Sequence, residues 1–229
     1  MALPVVLITG ARGGLGAHVT RAFLDSGATV AGTSRGISDS DFGHPNFHAF
    51  PADLLVAAQA ESLVAAVAAR LGRIAALIHV AGGFEGGKPV TETEDAVWER
   101  MLNVNLRAAV HVFRAVIPRM RAAGGGRMVA IASRAAVEPA PGIAAYSASK
   151  AALASLVKTV ALENRDAGIT ANAILPGTID TEANRSWGTV EGRAQWVSPE
   201  RLAALAVFLA SDAAAEITGA AIPVYGKAL

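Results

Sequence analysis

Seven short apolar runs, separated by longer segments of helical period, constrain this chain more than any other feature. The runs fall at residues 3–9, 29–33, 47–50, 74–80, 127–132, 169–175 and 220–224. They are apolar at consecutive rather than alternate positions, the pattern of strands covered on both faces. Between them, residues 14–26, 56–71, 95–120, 146–165 and 199–210 carry apolar side chains at helical spacing; Leu15, Val19, Ala22 and Phe23 form the first such stripe. Gly27 closes that helix, and Ser198 has the residue type of an N-cap. Segment 95–120 reads as one long helix that bends or ends near Pro118. Strand–helix alternation throughout predicts an α/β fold: one doubly wound parallel sheet of about seven strands, with right-handed crossovers and helices on both faces.

The 229 residues fit a single domain spanning 1–229, without linker, internal repeat or low-complexity tail. Charge is nearly balanced, 20 Lys+Arg against 19 Asp+Glu, and the arginines are scattered. Nucleic acid is therefore not an expected partner. Arg100, Arg107, Arg114 and Arg121 read as a solvated helix face. The absence of cysteine excludes disulfides, thiolate metal sites and a cysteine nucleophile, and fits a reducing, cytoplasmic setting. Hydrophobic content is 52%, much of it alanine, with no uninterrupted apolar run of about 18 residues, so no membrane span is expected. Residues 1–10 lack a basic start and a small-residue cleavage site, and read as a buried strand rather than a signal peptide. The five histidines form no metal-binding pattern; His44 and His48 are four apart, but Pro45 argues against a helix there, and no metal is expected. No G-x-S-x-G elbow is present, which argues against a serine hydrolase.

The first strand opens into Thr9-Gly10-Ala11-Arg12-Gly13-Gly14-Leu15-Gly16, immediately before the first helix. Glycines at such a turn let backbone approach a pyrophosphate, whose charge the helix N-terminus favours. The spacing differs from the tighter G-x-G-x-x-G pattern, and an ordinary strand-to-helix turn would look similar. After the second strand, dinucleotide folds place a carboxylate for a ribose 2′-hydroxyl or an arginine for a 2′-phosphate. Here Thr33 is followed by Ser34 and Arg35, with no acid. Arg35, together with Arg12, favours a phosphorylated cofactor, because a guanidinium matches phosphate geometry; a solvated loop arginine is the alternative.

Tyr146 and Lys150, four residues apart, share a helix face. A phenol has a reference pKa of about 10, and an ammonium one turn away favours its ionised form. Such a pair can exchange a proton with an alcohol or carbonyl. Ser133, thirteen residues upstream, ends a strand where the active sites of parallel sheets collect, and its hydroxyl can hold a substrate oxygen.

At these residues the sequence resembles the short-chain dehydrogenase/reductase family, over nearly its whole length. Thr-Gly-x-x-x-Gly-x-Gly matches residues 9–16, and the family's serine, tyrosine and lysine match Ser133, Tyr146 and Lys150. Its helix asparagine matches Asn105, its adenine-side aspartate matches Asp53 beside Leu54, and its Pro-Gly followed by threonine matches Pro176, Gly177 and Thr181, with Ile179 between. The resemblance implies a Rossmann-type fold, an NADP(H) or NAD(H) cofactor, and hydride transfer to or from a carbonyl or secondary alcohol. It implies that Tyr146 moves the proton. Lys150 would bind the nicotinamide ribose and lower the tyrosine pKa, Ser133 would bind the substrate oxygen, and Asn105 would anchor a water leading to Lys150. It places Gly10, Arg12, Gly13, Gly14, Leu15, Gly16, Ser34, Arg35, Asp53, Leu54, Ala81, Gly82, Pro176, Gly177, Ile179 and Thr181 along the cofactor, besides Tyr146 and Lys150. It further implies a dimer or tetramer built through the long helices, and a small substrate lid at residues 180–197.

Some positions depart from the family pattern. Its Asn-Asn-Ala-Gly reads His79-Val80-Ala81-Gly82, and a ring nitrogen of His79 can tie neighbouring strands as the first asparagine does. Its basic residue before the second motif glycine is Gly13 here, with Arg12 displaced by one. Val80-Ala81-Gly82-Gly83, Ile179-Asp180-Thr181 with Asn184-Arg185, and the short carboxyl end are similar to the dihydropteridine reductase branch, although the motif serine fits a general carbonyl reductase equally. A pteridine-type C=N reductase, an epimerase or dehydratase, and a non-catalytic dinucleotide sensor or scaffold are the competing readings. Trp187 and Trp196 could line a pocket or cap a core.

Overall fold

A computed structural model describes residues 4–186 and 193–227. The seven strands are β1 (Val5–Thr9), β2 (Thr29–Thr33), β3 (Phe47–Ala49), β4 (Ile74–His79), β5 (Gly126–Ile131), β6 (Ile169–Pro176) and β7 (Ala221–Val224). They form one parallel sheet in the order β3-β2-β1-β4-β5-β6-β7, the Rossmann-type arrangement. Side chains alternate between two apolar layers, which is why the runs are continuous. In β1, Val5 and Leu7 join the layer of α2 (Ala57–Leu71), α4 (Ala108–Ala122) and α5 (Ala144–Asn164). Val6 and Ile8 join the opposite layer, with α1 (Gly14–Asp25) and α7 (Pro199–Leu209). Two further α-helices among the described residues are α3 (Asp95–Leu102) and the single turn α6 (Glu182–Arg185). Ser198 caps α7, its Oγ accepting from the Arg201 amide at 3.2 Å.

The long helix expected over 95–120, bent or ended near Pro118, is not one regular helix. It is α3 and α4 joined by a π-helical turn at Asn103–Arg107, and Pro118 neither ends nor replaces it. The buried stripe Ala108, Ala109, Val112, Phe113, Val116 and Met120 runs past the proline, so burial holds the chain helical to Ala122. The arginine face is exposed as expected, although Arg121 also reaches Asn164, donating from Nε to Oδ1 at 2.6 Å. Trp196 is half-buried; Trp187 lies outside the described residues, as does the centre of the expected lid at 180–197.

The chain turns from one direction of strand order to the other between β1 and β4. Their carboxyl ends therefore open a crevice, into which the segments after β1, β4, β5 and β6 converge.

Candidate active site

The glycine turn is a compact backbone cradle. Gly10 has φ +66°, and a Cβ there would stand 2.8 Å from the Ala81 nitrogen, so the ends of β1 and β4 touch through main chain. A Cβ on Gly16 would fall 1.9 Å from the Gly10 carbonyl oxygen, which forbids any larger residue. Gly13 is the N-cap of α1 and has no side-chain cap, and no acid occupies the first turn. The leading amides of α1, from Gly14, Leu15 and Gly16, are thus available to an anion. Thr181, nearly buried, packs over Gly14, with its Cβ 3.2 Å from where a Gly14 Cβ would lie.

At the end of β2, Thr33 and Ser34 each hold a buried hydroxyl without a partner, and Arg35 is exposed beside them. Arg12 crosses to this loop and donates from Nη1 to the Gly36 carbonyl. After β3, the half-exposed Asp53 accepts from the Leu55 amide at 3.0 Å, while the buried Leu54 directs its carbonyl to His111 Nδ1 at 2.8 Å. A backbone cradle, a bare helix N-terminus and two orphaned hydroxyls along one edge fit a dinucleotide.

At the other end of the crevice, Ser133 follows β5 and its Oγ accepts from the Ala135 amide at 3.2 Å. Tyr146 rises from α5 and shares a side-chain hydrogen bond with Ser133. Lys150, one turn on, is buried; its Nζ donates to the Ile131 carbonyl at 2.9 Å and lies 6.0 Å from the Tyr146 ring centre. Asn105 sits on the π turn, fully buried. Its Nδ2 donates to the Gly83 carbonyl and to Ser149 Oγ, each at 3.0 Å, and its Oδ1 accepts from the Gly83 amide at 2.9 Å. A Cβ on Gly82 would come within 2.8 Å of Asn105 Oδ1 and 3.1 Å of Lys150 Nζ, so this glycine lets both side chains close on the strand end. Pro176 ends β6, and the Gly177 amide donates to the Val224 carbonyl at 2.9 Å. Ile179 forms a parallel bridge with Val197.

A sequence model described as short chain dehydrogenase matches residues 4–192. The chain belongs to the short-chain dehydrogenase/reductase family. D-threitol dehydrogenase of Mycolicibacterium smegmatis is 34% identical over 238 residues, covering 97% of this chain and 91% of that protein. A short-chain dehydrogenase/reductase of Talaromyces verruculosus is 32% identical, with 96% and 94% covered. Among solved structures, a 3-ketoacyl-(acyl-carrier-protein) reductase from Brucella melitensis complexed with NADH superposes with a TM-score of 0.92 at 27% identity, covering 100% of this chain and 99% of that one. A blue fluorescent protein from a metagenomic library, in complex with NADPH, gives 0.87 at 29% identity, with 99% and 98% covered.

The protonation states in the site of this short-chain dehydrogenase, and the place of Ser149, are not carried by its motifs. Burial raises the Tyr146 pKa above its usual value, and the Ser133 hydrogen bond only partly opposes it. Burial also brings Lys150 down to about 8, and its ammonium faces a backbone carbonyl rather than the phenol. His79 does tie strands together, its Nδ1 lying 2.9 Å from Thr9 Oγ1, which also accepts from the Ala81 amide at 3.2 Å. Burial, with a smaller push from Lys150, lowers His79 to about 3, so the ring is neutral. Motif matching also missed Ser149, which donates to the Tyr146 carbonyl at 2.7 Å and receives the Asn105 amide. A serine inside a helix, one residue before Lys150, signals such an i−3 bond.

Proposed function

We propose that this protein is a carbonyl reductase that transfers a hydride between a nicotinamide cofactor, NADP(H) in preference to NAD(H), and a ketone or secondary alcohol. The observation that carries this reading is the hydrogen-bonded Ser133–Tyr146 pair, with Lys150 one turn away, across the crevice from the glycine cradle. The cofactor would supply or accept the hydride. The chain's own groups would do the rest. The amides of Gly14, Leu15 and Gly16 would meet the pyrophosphate, with Gly10, Gly13 and Ala81 giving it room. Ser34, Arg35 and Arg12 would hold the 2′-phosphate, and Asp53 and Leu54 would border the adenine. Gly82, Pro176, Gly177, Ile179 and Thr181 would border the nicotinamide end, within reach of Lys150. Ser133 would hold the substrate oxygen. The raised Tyr146 pKa keeps the phenol protonated at neutral pH, ready to donate Oη–H to that oxygen as it gains charge. Asn105, held by Gly83 and Ser149, would fix the floor under Lys150, with its Oδ1 keeping a second acceptor site for the expected water. A small lid at 180–197, a homo-oligomer and a cytoplasmic location belong to the same reading.

Replacing Tyr146 by Phe tests it. We expect ketone reduction with NADPH to fall about a hundred- to ten-thousandfold, the range for a lost general acid, while calorimetric titration still detects NADPH. Undiminished turnover would remove the proton-transfer role. NADPH binding by wild type, without turnover across a broad ketone and alcohol panel, would favour a dinucleotide sensor.

A further inference from the structure

Phe84 follows the Ala81-Gly82-Gly83 turn and is 52% exposed. Its ring meets Tyr146 edge-on, with centres 5.0 Å apart and planes at 76°. Ile143, just before α5, comes to the same place. A methyl group built on Gly86 would lie 2.8 Å from Ile143 Cγ2 and 3.4 Å from Phe84 Cζ, so Gly86 leaves the space that lets these two apolar ends approach. The loop is fastened there, the Gly87 amide donating to the Gly142 carbonyl at 2.7 Å. Beyond lies a cleft of about 130 Å³ whose charged side chains pair with one another, Arg100 with Glu85 at 2.6 Å and Lys88 with Glu94 at 2.9 Å. The charges of this loop therefore answer each other, and what it offers beside the phenol is apolar.

Resting on the reductase reading, we infer that Phe84 and Ile143 form an apolar wall beside Tyr146 that selects ketones bearing a flat aryl or alicyclic group next to the carbonyl over polyhydroxylated ones. An aryl ring against Phe84 gains edge or offset stacking as well as burial. A polyol there would lose water from hydroxyls that find no partner.

Acetophenone and dihydroxyacetone are the probes, with wild type, Phe84→Ala, Phe84→Leu and Gly86→Ala. Saturation-transfer NMR of acetophenone on the chain alone needs no turnover. We expect a signal with wild type, a weaker one with Phe84→Leu, and loss with Phe84→Ala and Gly86→Ala. In turnover with NADPH, the ratio of kcat/KM for acetophenone over dihydroxyacetone should fall about tenfold in Phe84→Ala, mostly through KM, the size of a modest apolar contact. Half-exposed Phe84 leaves the core intact, so a folding defect would lower both substrates together. Acetophenone binding unchanged by Phe84→Ala, absent from wild type, or a ratio that does not move, would overturn the wall. Phe84-dependent binding without turnover of either ketone would instead sink the hydride-transfer reading and leave the wall standing.

Discussion

His79 makes folding stability depend on pH in a window set by one ring. Its solution value of 6.5 falls to about 3 in the folded chain, chiefly through burial and secondarily through Lys150. Between these values the unfolded chain binds a proton that the folded chain refuses, so stability rises with pH across the window and is lost on acidification from about 6.5 towards 3. At pH 5 the ring is still neutral when folded and almost wholly charged when unfolded. Keeping it so costs about 2 kcal/mol relative to pH 7, at 1.36 kcal/mol per pH unit below 6.5. His79→Asn removes the titrating group. We expect that variant to be less stable at pH 7, because the shorter side chain packs poorly against Phe113, whose ring centre lies 5.7 Å from that of the imidazole. Its stability, however, should fall about 2 kcal/mol less between pH 7 and pH 5. Urea unfolding at the two pH values, on both proteins, measures this directly. His18, His44, His48 and His111 are present in both and cancel in the comparison. Equal pH sensitivity in the two proteins would refute the reasoning, as would an NMR titration placing His79 near 6.5 in the folded state.

Two further outcomes follow from the same geometry. Arg35→Asp should weaken NADPH binding about ten- to a hundredfold relative to NADH, the worth of one charge-assisted contact to phosphate; parallel calorimetric titrations of both nucleotides check it, and an unmoved ratio would mean that Arg35 serves only solvent. Ser149→Ala strips one acceptor from the buried Asn105 amide and should cost about 1–2 kcal/mol of stability while speeding hydrogen exchange at the Gly83 amide, which Asn105 Oδ1 holds.

The sheet was readable from the chain because its evidence is local. Each buried strand shows itself as an unbroken apolar run, and each helix as a stripe, without knowledge of what lies opposite. The same holds for the glycine turn, where the Gly10–Gly16 clash depends on residues six apart. Ser133, Tyr146 and Lys150 were legible as a set because α5 fixes two of them and a strand end fixes the third. What escaped depends on neighbours distant in sequence. The strand tie expected of His79 is present, but its partner Thr9 lies 70 residues away, and only the pairing of β1 with β4 names it. The direction of the Tyr146 shift is a contest between burial and the Ser133 hydrogen bond, and burial is not written in a four-residue spacing. The π turn left no mark at all: Asn103-Val104-Asn105-Leu106-Arg107 has nothing in its composition to forbid an ordinary helix, and the tertiary ties of Asn105 are what the wider turn accommodates.

That wider turn separates two jobs that a regular helix would lock together. Downstream, α4 must present Ala108, Val112 and Val116 to the sheet; upstream, Asn105 must aim at Gly83. A uniform 3.6-residue pitch would couple the two headings, so that any adjustment of one swings the other. An extra residue in the loop of backbone acts as a phase shifter between them. Deleting a single residue within 103–107 should therefore leave a helix that still packs but whose asparagine faces the wrong way, whereas core substitutions along α4 can drift without dragging the crevice floor with them.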